Sequence, residues 1–134
     1  MPINKIVFRI LFWISVAVIT IASLVPQFFS QHVQVSSDFS FRLDYVLHFL
    51  SYLFLASFLT SWKFAKDNIF KLILFVLIFG IFISSIFEVI QYFLPTRTFN
   101  PYDMLCNFSG FTIGLLLSIF FERRSIIMQN KIDS

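Results

Sequence analysis

Four long apolar stretches separated by short polar interruptions make up most of this chain. They run from Ile6 to Val25, from Asp44 to Phe64, from Ile69 to Leu94 and from Pro101 to Phe121. At a helical rise of ~1.5 Å per residue, each is long enough to cross ~30 Å of hydrocarbon. None alternates with the period of two that marks a β-barrel strand. A backbone in lipid must also satisfy its own hydrogen bonds, so the pattern predicts four transmembrane helices. Pro26 and Pro95 stop the first and third. Asn100-Pro101-Tyr102-Asp103 reads as a helix start, with Asn as cap, Pro in the first turn and an acid three residues after the cap. The segment between Pro26 and Leu43 is polar with scattered aromatics, and no periodicity fixes its structure. His32 within it lacks acidic or Cys neighbours at ligand spacing and reads as solvated. The tail from Arg123 to Ser134 is polar and is expected to fray.

Composition names the solvent. Of 134 residues, 58% are hydrophobic and only 13% charged, and mean hydropathy is +0.86. A soluble domain carries about a quarter charged residues, and one this small has too little interior to hide the apolar excess. The expected fold is therefore all-α: an integral membrane four-helix bundle, one membrane domain over residues 1–134. Lys5 and Arg9 at the start of the first run would also suit a signal peptide. However, Ala22-Ser23-Leu24-Val25-Pro26 offers no clean small-x-small cleavage site, so the helix is read as retained.

Lys5, Arg9, Lys63, Lys66, Lys71, Arg123, Arg124 and Lys131 fall at the N-terminus, in or beside the second-to-third loop, and at the C-terminus. Only Arg42 and Arg97 fall on the other side, so the positive-inside rule places both termini in the cytoplasm. The single cysteine, Cys106, excludes an intramolecular disulfide and a Cys-rich metal site. Between Leu105 and Phe108 it reads as a buried, inert thiol.

Polar residues inside the spans are costly in lipid and become the candidates for function. At about 100° per residue, Asp44, His48 and Ser51 share one helix face, with Tyr52 beside them. Ser84, Glu88 and Gln91 share a second face, and Asp103, Asn107, Gly110 and Gly114 a third. All three faces sit at a similar depth below the outward ends of their helices, with Arg97 in the short loop above. One outward-opening polar pocket accounts for the coincidence.

Plainer readings stand beside it. Asp44 and Asp103 suit helix N-termini. Asn107, Gly110 and Gly114 suit a small-residue helix seam, and the serines suit interhelical hydrogen bonds. Glu88 resists such a reading, because it lies near a helix C-terminus where the dipole disfavours an anion. It must be protonated, hydrated, or paired with His48 or Arg97.

Taken together, D-x-x-x-H-x-x-x-Y (Asp44, His48, Tyr52), E-x-x-Q (Glu88, Gln91), P-x-R (Pro95, Arg97) and D-x-x-x-N-x-x-G-x-x-x-G (Asp103, Asn107, Gly110, Gly114) resemble the VanZ-like family of small bacterial membrane proteins. The chain departs where many members look like D-K-x-x-H: here Tyr45 follows Asp44, and Arg42 is the nearest substitute cation. The resemblance implies a role in the cell envelope and a bacterial cytoplasmic-membrane location. It also brings an association with susceptibility to teicoplanin-like glycopeptides, which many members do not share.

Four readings of function follow. The first is an outward pocket holding a lipid-linked precursor or anionic headgroup, with Arg97, Gln91, Tyr52, Asp103 and Asn107 as ligand-binding residues. The second is a membrane enzyme using His48, Glu88 and Asp44 in acid/base roles. The third is a small transporter, and the fourth a structural subunit. There is no nucleophile motif, phosphate loop or two-histidine zinc pattern, so no metal and no cofactor are expected. The expected partner is the lipid bilayer, not nucleic acid.

Overall fold

The structure, a computed structural model, describes residues 2–24, 32–36, 39–64, 68–93 and 100–132. Four helices, α1 (Pro2–Leu24), α2 (Leu43–Lys63), α3 (Ile69–Tyr92) and α4 (Pro101–Ile132), are all long and apolar enough to cross a membrane. A two-stranded antiparallel hairpin, β1 (His32–Ser36) and β2 (Phe39–Arg42), lies between α1 and α2. The all-α membrane bundle read from the hydropathy pattern is thus the fold of the spanning part, with one small hairpin added outside it.

The hairpin occupies the segment where no periodicity was recognised. A short alternation is in fact there: Val33 and Val35 on one strand, Phe39 and Phe41 on the other, with Val33 paired to Phe41. β-Branched and aromatic residues at every second position favour a strand, but two runs this short are easily lost among turn residues.

A second difference lies at the C-terminus. The tail expected to fray from Arg123 is helical to Ile132. It contains no Gly or Pro, and Ile126 packs against the apolar core. A helix continues past the bilayer when propensity permits and a side chain anchors it.

α2 is the central element and packs against all three other helices. Its contact with α4 is the most extensive, and glycine makes it possible. A Cβ at Gly110 would collide with the backbone carbonyl of Phe49, and one at Gly114 with that of Leu53. Two hydroxyls extend the seam. Ser57 Oγ donates to Leu53 O at 2.8 Å and to Gly114 O at 3.3 Å, and Ser118 Oγ donates to Ser57 O at 3.3 Å. Small residues with interhelical hydrogen bonds are the usual means of association where lipid removes the hydrophobic drive between helices.

Tyr52, Leu55, Ala56, Leu59, Val76, Phe111 and Leu115 fill the centre. α1 closes one side through Phe12, whose ring lies 5.6 Å from Trp62 and 6.0 Å from Phe79. Large apolar side chains such as Phe70, Phe82 and Leu116 face outward, as a lipid-solvated surface requires.

Lys5 Nζ donates to Phe64 O at 3.3 Å, joining the start of α1 to the end of α2. The same end holds Glu122 and Ser125 of α4. Both described termini therefore lie at one end of the bundle, the terminal end, with the hairpin and the start of α4 at the opposite, hairpin end.

Candidate functional site

Buried polar side chains are concentrated at the hairpin end. Asp44, Ser84, Glu88, Gln91, Asp103 and Asn107 are each at most 4% exposed. They come from three helices, and each lies within about two turns of its helix terminus at that end. Helical periodicity explains the convergence. Residues three or four apart share a face, so Ser84, Glu88 and Gln91 present one polar edge of α3, and Asp103 and Asn107 one of α4.

Hydrogen bonds and one longer polar contact link Asp103, Asn107 and Ser84 through His48. Asn100 caps α4 by accepting from Tyr102 N through Oδ1 at 3.1 Å. Its Nδ2 donates to Asp103 Oδ1 at 3.0 Å and to the Tyr45 hydroxyl at 3.4 Å. The other Asp103 oxygen, Oδ2, lies 3.9 Å from His48 Nε2. His48 Nδ1 is 2.9 Å from Asn107 Oδ1, and Asn107 Nδ2 donates to Ser84 Oγ at 3.2 Å. Tyr52 is buried in the same region, with Ser84 and the Glu88 carboxylate near its hydroxyl. The network thus crosses from α4 to α2, back to α4, and on to α3.

Asn107 sets the chemistry of His48. With its amide nitrogen committed to Ser84, Asn107 presents its oxygen to His48, so Nδ1 carries the proton in this arrangement. Nε2 is then the nitrogen turned toward Asp103. A gap of 3.9 Å is too long for a direct hydrogen bond. It suits an ion pair with imidazolium, or a small polar group held between the two.

The sequence-derived candidates divide as follows. Asp44, His48, Tyr52, Glu88, Gln91, Asp103 and Asn107 all lie at the hairpin end on inward faces, with His48 the most open of them. Arg97 and Pro95 lie outside the described residues. The side chains of His32 and Arg42 are likewise not described, although both backbones belong to the hairpin. Asp103 has two roles, closing the first turn of α4 with Asn100 and facing His48.

Asn100 and Tyr45 are network members that the sequence reading left out. In the sequence Asn100 is legible only as a cap. Tyr45, the departure from the D-K pattern, fills its position with a hydroxyl that accepts from Asn100, and its ring stands 6.2 Å from that of Tyr102. Among the described residues, no group of three or more His, Cys, Asp and Glu side chains is placed to share one metal ion.

Four apolar spans, three of which gather a polar cluster at one end of the bundle, define a multi-pass membrane protein with a buried polar site. The chain belongs to the VanZ/LLP1 family, whose model matches residues 5–122. It is also similar to an uncharacterized protein of Schizosaccharomyces pombe, at 32% identity over 83 residues. That match covers 62% of this chain and 51% of the relative, so the chain corresponds to about half of the relative's length. No solved structure matches the chain.

Proposed function

We propose that the polar cluster at the hairpin end is a binding site, open to the outer face of a bacterial cytoplasmic membrane, for an anionic or lipid-linked headgroup of the cell envelope. One observation carries this reading: six buried polar side chains from three helices gather at one end of a bundle whose exterior is apolar. Polar groups at such depth are expensive unless they serve one another or a ligand. The distribution of basic residues supports the orientation, since they crowd the terminal end.

Arg97 falls between Phe93 and Asn100, both at the hairpin end, and supplies the cation for phosphate or carboxylate in this reading. Gln91, Tyr52, Asp103 and Asn107 orient the ligand through hydrogen bonds. Altered susceptibility to teicoplanin-like glycopeptides is a narrower consequence. A relative in yeast means that family membership does not by itself imply a bacterial envelope.

The test compares wild type, Arg97→Ala and Glu88→Ala, each confirmed as expressed and membrane-inserted, in a strain lacking the native copy. The expected outcome is a changed envelope lipid profile or glycopeptide sensitivity in both variants. Unchanged profiles and unchanged sensitivity would falsify the reading.

The orientation of His48 favours a second reading, a membrane-embedded enzyme. Asn107 fixes Nδ1, which leaves Nε2 as the nitrogen able to exchange a proton, with Glu88 and Asp44 as further acid/base candidates. Purified protein that converts a labelled envelope lipid, and loses turnover in His48→Gln, supports catalysis. Saturable binding without turnover returns the site to recognition alone.

A further inference from the structure

A second site lies at the opposite end of the bundle. A cleft of about 470 Å³ opens between α1, α2 and α4, lined by Lys5, Phe8, Phe64, Ser118, Glu122 and Ser125 among others. It adjoins a second cleft of about 440 Å³ that shares Phe121 and Ser125 with it and adds Arg124. The volume is in the range of small-ligand sites.

Its depth can be read from the helix. From Pro101 to Glu122, α4 rises ~32 Å, close to the thickness of the hydrocarbon core. The cleft therefore sits at headgroup level, with Phe8, Phe64 and Phe121 among its walls.

The lining is complementary to a headgroup with both charges. Lys5 uses one N–H on Phe64 O and keeps two donors for an anion. Ser118 spends its proton on Ser57 O, so toward the cleft its oxygen only accepts. Glu122 supplies a carboxylate on the same wall. A site for a purely anionic headgroup gains nothing from Glu122, which would repel it. A phosphate joined to a primary amine uses both: phosphate on Lys5, ammonium on Glu122 and the Ser118 oxygen.

From this we infer that the terminal-end cleft binds a zwitterionic aminophospholipid in the leaflet on that side, with Glu122 selecting the amine. The site is separate from the polar cluster at the hairpin end and does not depend on how that cluster functions.

Native mass spectrometry of the purified full-length chain, titrated in turn with phosphatidylethanolamine and phosphatidylglycerol, tests the proposal. Wild type should take up one phosphatidylethanolamine saturably, with a preference over phosphatidylglycerol of roughly fivefold, the order expected of one partly solvated charge pair. Glu122→Gln should erase that preference while still binding lipid through Lys5, and Lys5→Met should weaken both lipids. Because Lys5 also caps α2, Glu122→Gln is the deciding variant: its carboxylate is partly exposed and its replacement is isosteric. Equal affinity for the two lipids in wild type, a preference unchanged in Glu122→Gln, or no saturable adduct with either lipid overturns the proposal.

Discussion

At the scale of single residues, Asn107 is the junction of the polar network. It is 1% exposed and bonds to both His48 and Ser84. Replacing it with Leu removes two interhelical hydrogen bonds and strands the histidine and serine partners. The expected loss is about 1–3 kcal/mol, read by reversible unfolding in mixed detergent micelles. Ser84→Ala should cost about 1–3 kcal/mol, since it leaves the buried amide N–H of Asn107 without its acceptor. The double variant should fall short of the sum by a few tenths of a kcal/mol or more, because both changes break the same Asn107–Ser84 bond.

Glu88 separates function from packing. If the carboxylate acts on a ligand, Glu88→Gln should abolish the envelope phenotype while leaving thermal stability near that of wild type. A purely structural role predicts no phenotype from this isosteric change.

At the scale of elements, the α2–α4 contact depends on backbone proximity. A methyl group at Gly110 or Gly114 meets a main-chain carbonyl that cannot move without shifting the whole helix. At Gly80 it meets only the Phe111 ring, the far part of a side chain. Gly110→Ala and Gly114→Ala should therefore destabilise by about 2–3 kcal/mol and Gly80→Ala by less, as overpacking costs usually fall at ~1–3 kcal/mol. Denaturation midpoints of the three variants, compared in one detergent, check the order.

The elements also show what was legible in the chain itself. Helix positions could be read because ~20-residue apolar runs have almost no other use in a protein. The end of α4 could not, because beyond the bilayer hydropathy no longer marks a helix, and the packing of Ile126 helps decide it. The hairpin was hidden because Val33, Val35, Phe39 and Phe41 form alternations too short to stand out. The inward faces of α2, α3 and α4 were legible from spacing alone, as the burial of Asp44, Glu88, Gln91, Asp103 and Asn107 shows.

At the scale of the whole molecule, the two ends differ in chemistry. The hairpin end buries carboxylates and amides beside a half-buried histidine, whereas the terminal end carries most of the basic residues and an amphiphilic cleft. With both described termini at one end, single cysteines placed near residue 2 and residue 133 of a Cys106→Ser chain should react with an impermeant maleimide from the same side of the membrane. A cysteine at Ser37 or Asp38, between β1 and β2 in sequence, should react from the other. The positive-inside count predicts the termini on the cytoplasmic side. Labelling of the N- and C-terminal positions from opposite sides would contradict the fold itself, and labelling of both from outside would contradict only the orientation.

By itself the sequence determined the solvent, the number of spans and the face each polar residue occupies, because hydropathy and helical period are local properties. Only the tertiary structure decided which faces meet: that His48 turns to Asn107 and Asp103, that Asn107 reaches Ser84, and that Lys5 and Glu122 share one cleft. Those pairings join residues far apart in the chain, and they follow from how closely the glycine seam lets α2 and α4 approach.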